Sequence, residues 1–405
     1  MDKIVLLCGK LFCSTTGTVK EKVAVTVEGE KITAVCPVEQ ADTAGCTVYD
    51  LGDKFVTPGL IDAHVHTIWD GEVEFMDCIN KGTIGDLTIR SMLLAKKDLM
   101  AGFTTIRDEG SYGFADIAVR NAIDRGEIDG PRMFVSGEAI SSTGGHSDGW
   151  LAPQITGKCQ SGVIIDGPDA GRRAARYNLK YGADQIKIMA TGGVGNPGEP
   201  GAIELTFEEM KAILDVANSR GRISSAHAHG AQGIKNAIRA GITSIEHGML
   251  MDDECVELMA RHGTYLVPTI IAGQRINENG VAAGLPAEVV EKSVRCLQGH
   301  RENLRKCRQA GVKICFGTDA GTSFNYHGKQ AYEFSLMVDF GFTVAQVLQA
   351  ATATNAQLLG WQDKVGSVEP GKLADIAAFD GDPFDDISSM QRCSFVMKGG
   401  KVYKA

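Results

Sequence analysis

No stretch of this sequence approaches the roughly 18 uncharged apolar residues of a membrane span. The start, Met1-Asp2-Lys3 followed by Ile4 to Cys8, carries too short an apolar run for a signal peptide. A cytoplasmic protein with no membrane partner is therefore expected. CxxC spacings are missing too, and the eleven cysteines are odd in number, which suits reduced thiols and not a disulfide framework. Nor is there an excess of positive charge: 41 Lys and Arg stand against 50 Asp and Glu, a formal net charge of -9. Phosphate binding needs clustered Lys and Arg, so no nucleic-acid partner is expected. HExxH is absent, and Gly145-His146-Ser147-Asp148-Gly149 matches the letters of GxSxG in a Gly-rich loop without reading as a strand-to-helix elbow, so a serine hydrolase or a zincin has no local support. A literal GxGxxG, Gly193-Val194-Gly195-Asn196-Pro197-Gly198, does occur. Pro197 and Pro200 interrupt it, and no helix opens there as a dinucleotide fingerprint demands. The segment is expected to be a mobile loop over a functional site.

What is present suits a globular chain, with 43% hydrophobic and 22% charged residues over 405 positions. Both ends are β-rich. Ile4 to Leu7, Val23 to Val27 and Ile32 to Val35 read as strands, as do Ala374 to Phe379, Phe395 to Met397 and Lys401 to Tyr403. The two ends are expected to pair into one small β-sandwich domain, 1–57 with 360–405. Between them, 58–359 alternates strands with helices. Candidate strands are Gly59–Ala63, Thr104–Arg107, Met133–Ser136, Gln185–Met189, Arg222–Ala226, Ser244–Glu246, Tyr265–Pro268 and Lys313–Gly317. The clearest helix begins at a Thr206/Glu209 capping box, followed by Met210, Ile213, Leu214 and Ala217 at helical spacing. Ala-Gly pairs such as Ala240-Gly241 read as helix stops. Eight repeats over about 300 residues give the count and length of a (β/α)8 TIM barrel, an α/β fold. A doubly wound sheet is the competing architecture.

The chemistry gathers at the strand ends. His64-Val65-His66 closes an apolar run too short for a helix, and residues two apart on a strand point the same way. Histidine is the commonest metal ligand among side chains. His227, His247 and Asp319 close further apolar runs, and Lys187 sits among apolar neighbours in Gln185-Ile186-Lys187-Ile188-Met189. In a barrel, catalytic groups occupy the C-terminal ends of strands, where all six of these residues fall. Two divalent ions about 3.5–4 Å apart share a hydroxide and polarise a carbonyl. A buried lysine tends to lose its proton, and the free amine adds CO2 to become an anionic, two-oxygen carbamate able to bridge two metals. Plainer roles exist for each group. Lys187 could snorkel and pair with Asp184 or Glu204, Asp319 could cap the next segment, and His146 could brace a Gly-rich loop. His262 and His300 read as surface or capping residues.

This set of HxH, strand-end lysine, two further histidines and an aspartate resembles the amidohydrolase superfamily. Val365-Gly366-Ser367-Val368-Glu369-Pro370-Gly371-Lys372-Leu373-Ala374-Asp375 looks like that superfamily's return to its small β domain. Thr143-Gly144-Gly145-His146, Lys187 to Gly193, Ala226-His227-Ala228-His229-Gly230 and Ser244 to Gly248 are similar to the imidazolonepropionase-like branch. That branch includes prolidase-type and Xaa-Arg/Lys dipeptidases and ochratoxin-cleaving amidases. The resemblance spans essentially the whole chain. It implies two divalent metal ions, the more buried held by His64 and His66 and the second by His227 and His247, with carboxylated Lys187 bridging. Asp319 would ligate, serve as general base and pass the proton to the leaving amine. His146 would stabilise the oxyanion. His229 stands where related dipeptidases carry a tyrosine that holds the substrate carboxylate, and it and His327 are candidate substrate contacts. Zinc suits the ligands, although manganese, iron or cobalt could serve. The implied activity is cleavage of an amide bond in a small peptide-like or N-acyl amino acid substrate by hydroxide attack. Cyclic amides or amidines, aromatic amides of the ochratoxin type and a non-catalytic scaffold are the alternatives. The resemblance also implies a homo-oligomer.

Overall fold

The two apolar ends of the chain meet in one sheet. In the computed structural model, which describes residues 3–149, 152, 154 and 161–405, that sheet has seven strands. Their order is Lys401–Lys404, Cys393–Lys398, Ile376–Asp380, Thr47–Pro58, Lys3–Cys13, Thr18–Glu28 and Lys31–Pro37. A bridge from Lys31 to Leu373 brings the far edge back to the C-terminal half. The sheet thus curls on itself as a sandwich, and Leu6, Val25, Ile376 and Phe395 share the enclosed core. Thr47–Pro58 is the strand that the sequence does not announce, because Asp50, Gly52, Asp53 and Lys54 break its apolar pattern. It lies parallel to Lys3–Cys13 through a register shift around Gly9, whose added Cβ would sit 2.0 Å from the Gly52 carbonyl oxygen. Only glycine allows so close an approach.

The middle of the chain forms a closed barrel. Its strands are Leu60–Val65, Phe103–Asp108, Arg132–Val135 continued by Ala139–Ser142, Ile186–Met189, Ser224–Gly230, Ser244–Leu250 and Tyr265–Val267. The eighth position is the segment 313–320, which pairs on both sides, Ile314 with Leu266 and Ala320 with Val65. The backbone amides of Asp184 and Gln185 reach the Val135 carbonyl, closing the remaining gap. Pairing on both flanks of the last strand distinguishes a barrel from an open doubly wound sheet. Helix Phe207–Asn218 starts at the Thr206/Glu209 capping box and buries Met210, Ile213, Leu214 and Ala217. The helix before the sixth strand stops at Gly241, in the left-handed region at φ 99°. Two helices, Ile270–Asn279 and Ala287–Gln298, are inserted after the seventh strand, ahead of His300–Gln309.

The sheet's other face docks on the barrel. Phe12, Phe55 and Phe379 belong to the same buried cluster as the barrel residues Phe103, Ile188 and Phe316. Among the described residues no helix is long and apolar enough to cross a membrane. Ten cysteines are described and all are unpaired, while Cys159 lies outside the described residues.

Truncating a fully buried aromatic removes its transfer energy and leaves a cavity. Phe379→Ala is expected to destabilise the chain by about 3–5 kcal/mol, read as a shift in the urea midpoint. A midpoint unchanged within error would show that the sheet is not energetically joined to the barrel.

Candidate metal centre

Strand alternation places His64 and His66 on one face of the first barrel strand, and Asp319 closes over them from the eighth. The Nε2 atoms of His64 and His66 lie 3.3 and 3.2 Å from the same oxygen, Asp319 Oδ1. His247, from the sixth strand, packs its ring 5.0 Å from that of His64, and His227, from the fifth, lies 4.6 Å from His247. His146 stacks on His227 at 4.0 Å and 16°. His229 lies 4.8 Å from His227 and 5.1 Å from His247. The fold therefore gathers His64, His66, His227, His247, Asp319, His146 and His229 at the C-terminal end of the barrel, with Lys187 on the neighbouring fourth strand.

The donor chemistry fits a metal ion. His64 Nδ1 is held by Glu246 Oε2 at 2.8 Å, His66 Nδ1 by the Gly110 carbonyl at 3.1 Å, and His247 Nδ1 lies 2.6 Å from Thr269 Oγ1. Engaging Nδ1 in this way leaves the Nε2 lone pair for a cation. His227 Nε2 is buried without any hydrogen-bond partner, a costly condition that coordination or a ligand would relieve. Burial, reinforced by the neighbouring rings, holds His227 and His247 well below the usual imidazole range. Neutral imidazole is the ligating form. Burial and the Lys187 charge bring His146 to about 4, and burial with His146 and His300 nearby brings His229 to about 3. Burial would raise Asp319, but its bonds to His64 and His66 keep it a carboxylate well below the normal range.

Beneath this cluster lies a set of charges that sequence inspection misses. Arg107, fully buried, reaches Glu109 Oε1 and Glu246 Oε1 at 2.9 Å each, Ser244 Oγ at 3.0 Å and the Ala63 carbonyl at 2.5 Å. Glu109 Oε2 receives Lys187 Nζ at 3.0 Å and Ser225 Oγ at 2.6 Å, while Gln185 Nε2 donates to Oε1 at 2.8 Å. Burial would raise the Glu109 carboxyl, yet Arg107 and Lys187 bring it to about 2. His64, Glu109 and Glu246 also lie close enough to hold an ion. Arg107 already pairs with both of those carboxylates, so the outer His64, His66 and Asp319 group is the better cation site. Lys187 is thus paired neither with Asp184, which binds Arg120 at 2.5 Å, nor with Glu204, which accepts the His146 amide at 2.7 Å. The available signal is a charge within a barrel strand, as at Arg107 and Glu246, with Glu109 one residue past the end of Phe103–Asp108.

Three further expectations are corrected. His327 does not offer itself to substrate: its Nδ1 bonds Asp98 at 2.8 Å and its Nε2 the His66 carbonyl at 3.1 Å, so both ring nitrogens are committed. His300 is fully buried, with Nε2 3.2 Å from the Pro268 carbonyl, and is not a surface residue. The Gly-rich loop is pinned. Asn196 Nδ2 donates to the His146 carbonyl at 2.9 Å, Lys292 Nζ to the Asn196 carbonyl at 3.0 Å, and Arg295 pairs with Glu199 at 2.5 Å. A Cβ on Gly193 would lie 2.1 Å from the His146 ring, so the glycine is there to let the loop lie flat against that imidazole.

A model of the Amidohydrolase family matches residues 55–403. Ochratoxinase from Aspergillus niger is 33% identical over 371 residues, covering 86% of this chain and 75% of that protein. The crystal structure of a Xaa-Pro dipeptidase with bound methionine in the active site is similar at a TM-score of 0.89 and 35% identity, covering 100% of both chains. That of a prolidase complexed with N-methylphosphonate-L-proline gives a TM-score of 0.90 and 32% identity over 99% of each chain. Agreement that runs from the first barrel strand to the last strand of the terminal sheet makes the chain a member of the amidohydrolase family, a hydrolytic enzyme acting on amide bonds.

Proposed function

We propose a binuclear, metal-dependent amidohydrolase that cleaves the amide bond of dipeptides or N-acyl amino acids. The observation that carries this is the convergence of His64 Nε2 and His66 Nε2 on Asp319 Oδ1 beside neutral His227 and His247. Similarity to a Xaa-Pro dipeptidase and a prolidase supports the peptide-like substrate. His64 and His66 would hold one divalent cation, His227 and His247 the second, and carboxylated Lys187 and Asp319 would serve both, with zinc the metal of choice. A carbamate on Lys187 keeps one N–H, so the 3.0 Å contact to Glu109 survives as a hydrogen bond. When bound, the cations supply Lewis acidity and an activated water at neutral pH.

The chain's own groups do the rest. Asp319 accepts the proton from the attacking water and hands it to the leaving amine. His146, neutral and held by Glu204 and Asn196, donates to the developing oxyanion. His229 Nδ1 is buried and unpartnered, which leaves it free to meet the substrate's C-terminal half. A second reading, an aromatic amide of the ochratoxin type, draws on the ochratoxinase identity of 33%. We also propose the division of the chain into 1–57 with 360–405 and 58–359, and assembly as a homo-oligomer.

Lys187→Ala is expected to lower bound metal from two ions per chain to one or fewer, by plasma mass spectrometry, and to abolish most turnover. Full metal and full activity in that variant would sink the carbamate bridge. Asp319→Asn should keep the fold by circular dichroism and lose about 10²–10⁴-fold in turnover; near-normal turnover removes it from proton transfer. Glu246→Gln should weaken metal binding by about 10–100-fold in chelator competition, whereas unchanged affinity would mean that His64 needs no carboxylate behind it. The substrate class is tested by ninhydrin release from zinc-loaded protein across dipeptides and N-acyl amino acids. Release confined to a few C-terminal residues supports a peptidase. Silence across the set, with metal bound, refutes it in favour of a cyclic or aromatic amide.

A further inference from the structure

A cavity of about 300 Å³ opens between the inserted helix Ile270–Asn279, the loop after the eighth barrel strand and the short turn Ile387–Gln391. Arg275 and Lys329 line it, Phe324 and Ile271 add apolar wall, and among the described residues no acidic side chain lines it. The cations are not spent alike. Arg275 donates to Glu278 at 2.8 Å and lies 4.4 Å over the Tyr332 ring, whose hydroxyl also reaches Glu278 at 3.0 Å. Those contacts pre-position the guanidinium, whose planar fork still has donors to spare. Lys329 is exposed and, among the described residues, has no ion-pair partner.

A third wall residue supplies the opposite polarity. Asn325 is 1% exposed, and its Nδ2 donates to the Thr318 carbonyl at 2.7 Å. That bond fixes the amide and leaves Oδ1 buried without a partner. Orphaned buried acceptors are rare in folded proteins and ask for a donor.

We propose that this cavity is a binding site for a small carboxylate that carries an N–H donor, the chemistry of an amino acid. The carboxylate pairs with Arg275 and Lys329, the N–H meets Asn325 Oδ1, and the side chain lies against Phe324 and Ile271. None of these residues belongs to the metal centre, so the assignment does not depend on the reaction proposed above. It does share a loop with that centre. Asn325 binds the carbonyl that immediately precedes Asp319, and both Asp319 and Phe324 hold positive φ, at 61° and 63°. A ligand on Asn325 therefore braces the segment that sets the Asp319 carboxylate.

The test is calorimetric titration of the metal-loaded protein with L-phenylalanine, alongside 3-phenylpropionate, which lacks the N–H, and phenethylamine, which lacks the carboxylate. One L-phenylalanine per chain is expected to bind this cavity, 3-phenylpropionate more weakly, and phenethylamine not at all. Lys329→Gln and Arg275→Gln should each weaken L-phenylalanine by about tenfold or more, the loss of one charge-assisted contact. Bound metal and the thermal midpoint should stay unchanged in both variants. Absence of L-phenylalanine binding overturns the proposal, as does affinity that neither substitution alters, because the ligand then sits on the metal centre. Equal binding of phenethylamine also overturns it.

Discussion

The Arg107 guanidinium, sealed in the barrel between Glu109 and Glu246, sets the geometry on which the rest of the site depends. It pairs with two carboxylates at once, and with Lys187 it keeps the buried Glu109 ionised. Each carboxylate then passes its orientation upward, Glu246 to His64 and Glu109 to Lys187. Such a buried set is not evidence of added stability, since desolvating it costs about as much as its attractions return. What it contributes is direction. His64 has one allowed ring orientation, and the Lys187 amine is fixed below the histidines and not swung toward solvent.

A second layer fixes the same centre from its sides. Asp62 accepts from the His64 amide at 3.1 Å and from the Thr318 amide and hydroxyl at 3.1 and 2.6 Å, so the first and eighth strands cannot slide past each other. Burial pushes Asp62 up to about 7. Asp98, at the end of helix Ile84–Met100, accepts from His327, which in turn holds the His66 carbonyl. His247, Thr269 and Asp319 all hold positive φ, a conformation that side chains with a Cβ rarely adopt. Strain of this kind persists where surrounding contacts over-determine it, and it clusters at functional sites.

The strand ends were legible in the sequence because they obey local rules. An apolar run stopping at His64, His227, His247 or Asp319 marks both a barrel strand and a group carried at its C-terminal end. The capping box at Thr206 and the stop at Gly241 are equally local. Thr47–Pro58 was not legible, because its partners come from 40 residues before it and more than 300 after it, and its own residues alternate poorly. The role of His327 is hidden from the sequence for a related reason. Nothing near it in sequence reveals that Asp98, 229 positions away, occupies one ring nitrogen. The charges at Arg107 and Glu246 stand out within barrel strands and Glu109 follows directly on one, but their mutual pairing is a product of barrel closure.

The central claim is that a pre-oriented histidine and lysine set, resting on Arg107, holds two cations at the barrel's C-terminal end. A crystal structure grown with excess zinc, with anomalous data collected at the zinc edge, tests it most directly. The account predicts two peaks, one against His64 and His66 and one against His227 and His247. It also predicts added density on Lys187 Nζ between them. A single peak with unmodified Lys187, or a peak among Glu109 and Glu246 with Arg107 displaced, would contradict it.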